Sequence, residues 1–206
     1  MTKKYVSDDG KFLRRVRVFQ DDMPRNPLEE FDMVFKFFLD SRNVEIISKG
    51  AERPIEPWET WAKGETVETC KRKPGLFALP VYFYDHSRIA LSLTSFSDPW
   101  DSGCAGFMYV EESKFCKDFN LDKFDPVKAL KVAKEELETI QQWMDGEVFG
   151  YCVDERESPN GDWQETESCW GYYGIEGIKS ALEELKAFEE DTALMPGDFF
   201  CEPLFA

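Results

Sequence analysis

The stretch LFALPVYFYDHSRIALSLT, residues 76–94, decides the class of fold. Its two apolar runs, Leu76–Tyr84 and Ile89–Thr94, predict two strands because each is short and aliphatic or aromatic, and turn-forming residues separate them at Asp85–Arg88. In the second run apolar residues alternate with small or polar ones, which places one set of side chains on a buried face. The stretch therefore predicts an antiparallel hairpin.

Apolar runs on both sides of this hairpin predict further strands. We assign them to Lys11–Asp21, Phe31–Leu39, Val44–Ser48, Gly106–Val110, Glu147–Val153 and Gln164–Tyr173. The last two flank the turn-forming residues Ser158–Gly161, which predicts a second hairpin late in the chain.

Two helices are predicted in the second half of the chain. Asp125 followed by Pro126 is a helix start, and apolar residues then recur at helical spacing up to the stop at Gly146. A last helix covers about 176–190. Paired strands followed by helices indicate an α+β fold, an antiparallel β-sheet with two main helices packed on it. With no internal repeat or flexible linker, we expect residues 1–206 to form a single compact domain.

Charge is distributed unevenly along the chain. The formal net charge is -16, and residues 135–206 hold 19 acidic and 3 basic residues, whereas the preceding 134 residues hold 22 of each. A field of this sign repels nucleic acid and acidic membranes and attracts basic surfaces. We therefore expect a basic protein partner, with no direct binding to nucleic acid or membrane. The same acidity also serves solubility alone in many proteins.

The composition favours a soluble protein of the cytoplasm without a cofactor. No apolar run approaches the ~20 residues that span a bilayer, and the first ten residues are polar. The six cysteines form no Cys-x-x-Cys pair and there is one histidine, so we expect free thiols in a reducing compartment. The phosphate-binding glycine loops, the nucleophile elbow and the His-Glu-x-x-His motif are missing, which favours a protein that is not an enzyme.

Two loops nevertheless offer candidate chemistry. If the second loop folds back beside the first, carboxylates and an imidazole suited to magnesium, manganese or iron come together from Asp85, His86, Asp98 and Asp101. The alternative is that these residues cap turns, with Trp100 in the core. A nucleophilic pair of Cys104 with His86 is a weaker hypothesis, since no third orienting group is indicated.

Three acidic clusters in the final third are the candidate partner-binding residues. They comprise Asp154, Glu155 and Glu157, then Asp162, Glu165 and Glu167, then Glu183, Glu184, Glu189, Glu190 and Asp191. Duplex DNA carries one charge per ~1.7 Å of axis and a helix rises ~1.5 Å per residue, so two or three carboxylates per turn approach the density of phosphates. The spacing permits mimicry of a nucleic-acid backbone, although a solvated helix face also carries glutamates.

Five sequence blocks carry a resemblance over about residues 76–190. They are Tyr84–Ser87 (YDHS), Ser95–Gly103 (SFSDPWDSG), Gly106–Val110 (GFMYV), Gly146–Tyr151 (GEVFGY) and Ser168–Gly174 (SCWGYYG). In these blocks the chain resembles a family of hypothetical proteins from bacteriophages and other mobile elements, which carries no established activity. Arg88 stands where that family usually has glycine, and Asp98 and Cys104 also replace other residues.

The resemblance to phage proteins implies a class of function. Small acidic phage proteins without catalytic motifs resemble inhibitors of host defence, many of which occupy the nucleic-acid groove of a restriction or CRISPR effector. The first hypothesis is therefore a non-enzymatic inhibitor in the host cytoplasm that binds a basic nucleic-acid-binding protein. The alternatives are a metal-dependent enzyme and a phage accessory or scaffold protein, and the sequence assigns no oligomeric state.

Overall fold

A computed structural model of the chain describes residues 2–6, 13–39, 74–158 and 160–185, with the backbone alone for residues 2–6 and 13–15. The predicted strand Val44–Ser48 and the candidate residues Glu189, Glu190 and Asp191 lie outside the described residues.

Every strand pair in the described part of the chain is antiparallel, and helices occur beside the strands, so the α+β class is confirmed. The strands are β1 Thr2–Val6, β2 Leu13–Gln20, β3 Lys36–Leu39, β4 Leu76–His86, β5 Arg88–Ser92, β6 Ser102–Glu111, β7 Val148–Arg156 and β8 Gln164–Tyr173. The helices are α1 Pro27–Glu30, α2 Glu112–Asp118, α3 Pro126–Met144 and α4 Gly174–Glu184.

The chain divides into two compact units. The first comprises Met1–Pro24 and Gly146–Ala206, and the second comprises Arg25–Asp145. Instead of the one sheet predicted, the described residues form two four-stranded sheets, in the orders β1-β2-β7-β8 and β3-β6-β4-β5. The single compact domain expected from the sequence stays a prediction.

In the first unit, α4 covers one face of its sheet. Val16 lies opposite Val153 and Val18 lies opposite Tyr151, so these four side chains share a face of β2 and β7. They form a core with buried residues of α4, among them Ile178. The other face of this sheet therefore points away from α4.

In the second unit, the predicted long helix is confirmed. The Asp125 carboxylate accepts hydrogen bonds from the backbone amides of Val127 and Lys128, which are free donors at the start of α3. Residues at helical spacing then face the sheet and are buried among phenylalanines of β3 and α2. They are Ala129, Ala133, Leu137 and Ile140.

A glycine allows β3 to approach β6 closely. Gly106 has φ +144°, and a Cβ atom there would lie 2.1 Å from the backbone oxygen of Phe38. No other residue fits this position without moving the backbone of β3. The strand predicted for Phe31–Leu39 covers only Lys36–Leu39 in the structure, and the preceding amides of Val34 and Phe35 bind the Glu136 carboxylate instead of a neighbouring strand.

Candidate functional site

The β7–β8 hairpin brings the first two acidic clusters together. Asp154 lies opposite Glu165, and Val153 lies opposite Glu167, so the clusters occupy the same half of the hairpin. Glu157 and Asp162, which lie between the two strands in sequence, are exposed. Clusters that are separated in the sequence therefore become one local feature, which we call the acidic hairpin, residues 153–167 without the undescribed residue 159.

Asp154 is the exception among these carboxylates, because it is buried. Only 2% of the residue is exposed. The Arg17 guanidinium on β2 binds both of its oxygens, with Nε 2.6 Å from Oδ2 and Nη2 2.9 Å from Oδ1. Its assignment as a partner-binding residue is therefore wrong: a buried carboxylate needs a partner inside the protein, and Arg17 supplies it.

Glu165 remains accessible beside this ion pair. Its side chain is 50% exposed, and its Oε2 lies 3.8 Å from Nη2 of Arg17. Burial, followed by a hydrogen bond to Glu165, raises the pKa of the neighbouring Cys152 thiol to about 11. Cys152 is thus a protonated, inert thiol at neutral pH.

Glu167 points to the other face of the hairpin. Its Oε1 accepts a hydrogen bond of 2.9 Å from the Tyr151 hydroxyl, which belongs to the face covered by α4. Burial and this hydrogen bond raise the pKa of Tyr151. Glu165 and Glu167 therefore extend from opposite faces of β8, the edge strand of this sheet. Glu155 on β7 is half-buried.

The third cluster lies at the C-terminal end of α4. Glu183 and Glu184 are exposed, and the last turn of the helix holds no basic residue. The C-terminal end of a helix carries partial negative charge, so carboxylates there destabilise the helix. These two glutamates are not placed where they would stabilise the helix.

The face of the first sheet that points away from α4 carries aromatic residues that sequence reasoning missed. The Trp170 ring lies over Gly150, where a Cβ atom would be 2.2 Å from the ring, and it stacks on Phe19 at 6.1 Å. Trp170 is 40% exposed. Arg156 lies over the Trp163 ring at 4.5 Å. A glycine and a tryptophan on two strands of one predicted hairpin could have indicated this contact. Only the register of β7 and β8, however, shows that Gly150 lies opposite Trp170.

The two loops that contain His86 and Asp101, in the second unit, are held together by hydrogen bonds. Nδ1 of His86 lies 3.0 Å from Oδ2 of Asp101, and the Asp85 amide donates to the Asp101 carbonyl at 2.7 Å. Asp98 accepts hydrogen bonds from the backbone amides of Asp101 and Trp100, which lower its pKa. The structure thus places the second loop beside the first, which is the condition that the metal hypothesis required. Trp100, however, is 89% exposed rather than in the core.

Neither chemical hypothesis for these loops gains support from the geometry. In the described part of the chain, no group of three or more His, Cys, Asp or Glu side chains is placed to hold a metal ion. The Cys104 sulfur donates to the carbonyl of Gly106 at 3.3 Å, and desolvation raises the pKa of this thiol, which is the opposite of nucleophile activation.

No family model, curated protein or solved structure matches this chain. Among the helices of the described residues, none combines the length and the apolar character needed to cross a membrane.

Proposed function

We propose that this chain is a non-enzymatic inhibitor that acts in the host cytoplasm. Its acidic hairpin and the C-terminal end of α4 present carboxylates to the basic nucleic-acid channel of a host defence protein, a restriction or CRISPR effector. The observation that carries the proposal is a set of exposed carboxylates in one compact unit. They are Glu157, Asp162, Glu165, Glu167, Glu183 and Glu184.

The shape of the acidic hairpin supports insertion into a cleft. Glu165 and Glu167 extend from opposite faces of an edge strand, while Glu157 and Asp162 lie toward the end of the hairpin. A two-stranded ribbon of this kind enters a nucleic-acid channel in the way that a duplex or single strand does, and it meets basic residues on both walls. Carboxylates then replace phosphates in charge-assisted hydrogen bonds to Lys and Arg.

The electrostatics inside the unit also support a role in binding. Arg17 neutralises the buried Asp154 and lies 3.8 Å from Glu165, whereas within the described residues neither Glu157 nor Asp162 takes part in an ion pair. Glu183 and Glu184 oppose the helix macrodipole, so local stability does not account for their position. The resemblance to phage proteins supplies the biological setting and is part of the proposal.

The test is binding of the full chain to a panel of purified restriction and CRISPR effectors over a salt series, with competition by the effector's own nucleic acid. We expect the affinity to fall about tenfold or more between 50 and 200 mM salt, since several charge contacts form at once. The double variant Glu157→Lys/Asp162→Lys reverses the charge at the end of the hairpin. The matched control, Glu111→Lys/Asp122→Lys, makes the same change of net charge at exposed positions of the second unit.

The two variants distinguish binding through the local surface of the hairpin from binding through the overall negative charge of the protein. The proposal predicts a large loss of binding for the hairpin variant and a small loss for the control. Equal losses, or an affinity indifferent to salt, would leave the acidity as a solubility feature and favour the accessory or scaffold alternative.

A further inference from the structure

The outer edge of the second sheet is partly filled by a side chain. β5 is the edge strand in the order β3-β6-β4-β5. The Gln141 amide of α3 lies against it: Oε1 accepts from the Leu91 amide at 2.8 Å, and Nε2 donates to the Ile89 carbonyl at 3.0 Å. These are the two bonds that one residue of an additional strand would make. The glutamine therefore occupies one peptide-binding position on the edge.

Among the residues that the structure describes, nothing occupies the next position along the same edge. In a strand, backbone groups two residues apart point the same way, so the Leu91 carbonyl and the Leu93 amide follow the groups bound by Gln141. Within the described residues, the structure gives neither of these two groups a partner. The edge then ends, because the Thr94 amide turns to the Ser92 hydroxyl at 3.0 Å. One peptide-sized position remains.

A cavity of about 360 Å³ adjoins this open position, between β5 and α3. The volume lies in the lower part of the range of ligand pockets. Leucines contribute apolar wall on both sides, from Leu91 and Leu93 on the strand side and Leu137 on the helix side. An apolar side chain attached to a bound backbone has a place to pack there.

Charge at the cavity comes from α3. The helix runs opposite to the strand, because Asp145 lies 3.6 Å from Arg88 and Gln141 reaches the next residues of β5. Lys134 therefore lies toward the end where the strand finishes. Lys134 and Glu138 are spaced for an i,i+4 ion pair, yet within the described residues neither takes part in one. Lys134 is a cation at the end of the cavity.

We propose that this groove binds the free C-terminus of a partner protein as a short extra strand parallel to β5. A parallel residue donates its N–H to the Leu91 carbonyl and accepts from the Leu93 amide. A single antiparallel residue cannot bridge the Leu91 carbonyl and the Leu93 amide, because it bonds both backbone groups of one opposite residue, and at Leu91 the amide is already held by Gln141. The parallel direction leads the bound chain toward Lys134, whose ammonium meets the terminal carboxylate. The site lies in the second unit and is independent of the proposed inhibitor surface.

The probe is a pair of peptides, acetyl-Ala-Leu-Ala-Leu with a free carboxylate and the same peptide with a C-terminal amide. Titration into the ¹⁵N-labelled full chain, followed by amide chemical shifts, gives both the location and the affinity. We expect a saturable downfield shift of the Leu93 amide. The free acid should bind about fivefold more tightly than the amide, the size of one partly exposed ion pair.

Two variants test the role assigned to charge. Lys134→Gln should abolish the difference between the two peptides, whereas the matched variant Glu138→Gln should keep or enlarge it. Methylation of the peptide nitrogen that meets the Leu91 carbonyl should weaken binding of the free acid. Overturning results are a Leu93 amide that does not shift, equal binding of acid and amide by the native chain, or a Lys134→Gln variant that weakens both peptides equally.

Discussion

Each unit holds a carboxylate partly or fully away from water, but the two units stabilise it in different ways. In the first unit, Asp154 is held by the Arg17 guanidinium from a strand 137 residues earlier in the chain. In the second, the partly buried Glu136 of α3 accepts the backbone amides of Val34 and Phe35 at 2.6 and 3.1 Å. A formal charge count from the sequence therefore overstates the carboxylates that a partner can reach. The two solutions also respond differently to mutation and to pH.

The largest expected change in stability comes from replacing a glycine, and the two sheets should differ in how much they tolerate it. Gly106→Ala should destabilise its unit by about 3 kcal/mol or more, because its new Cβ would meet the Phe38 backbone and its φ suits glycine alone. Gly150→Ala should cost less, about 1–3 kcal/mol, because its Cβ would meet chiefly the Trp170 ring, which can rotate away, and would lie 2.9 Å from the Cys169 backbone oxygen, a milder conflict than the one with Phe38. Urea unfolding followed by circular dichroism measures both, and the reverse order would contradict the packing described for these strands.

The next largest expected loss of stability comes from removing Arg17 from the first sheet. Arg17→Leu removes the bidentate ion pair of the buried Asp154, and we expect a loss of about 2–3 kcal/mol in the free energy of unfolding, because Arg17 is partly exposed and water compensates some of the change. The double variant Arg17→Leu/Asp154→Leu should recover most of that loss, since no charge then remains inside. A double variant as unstable as the single one would show that packing, rather than charge, is the cause.

The Glu136 carboxylate of the second unit should make the stability of the chain depend on pH. Desolvation raises the pKa of Glu136 above 4.5, and the Val34 and Phe35 amides offset part of that rise. The folded state then binds the proton more tightly than the unfolded state, so stability from this group is full at low pH and is lost as pH rises through the raised pKa. Relative to Glu136→Gln, the native chain should lose stability between pH 4 and pH 7 in urea titrations. The opposite slope would mean that the amide hydrogen bonds dominate.

The smallest effect concerns α4. Glu183→Gln/Glu184→Gln should stabilise the first unit by about 0.3–1 kcal/mol, because it removes negative charge from the negative end of the helix dipole. The matched control is Glu176→Gln in the first turn, which should be destabilising because that carboxylate is well placed and lies 2.6 Å from Lys179. Thermal unfolding distinguishes the two signs, and a stability loss in both variants would show that the macrodipole does not govern this helix.

Local signals predicted the elements that local chemistry determines. The start of α3 followed from Asp125 and Pro126, and the strand Gln164–Tyr173 has the predicted bounds. The burial of Asp154 depends on pairing with a distant strand, which no spacing within its own segment indicates. Trp100 was assigned to the core on its apolar character alone, whereas the turn that holds it directs the ring outward. The open position beside Gln141 likewise exists only once β5 and α3 are adjacent.

The discontinuous first unit has a consequence for biosynthesis. β2 is made early, but its partner β7 follows the entire second unit in the chain. At ~5–20 residues per second on the ribosome, β2 waits on the order of ten seconds for that partner. During the delay Arg17 has no Asp154 to bind, and the second unit has already emerged in full. Translation therefore completes the second unit before the first unit can close.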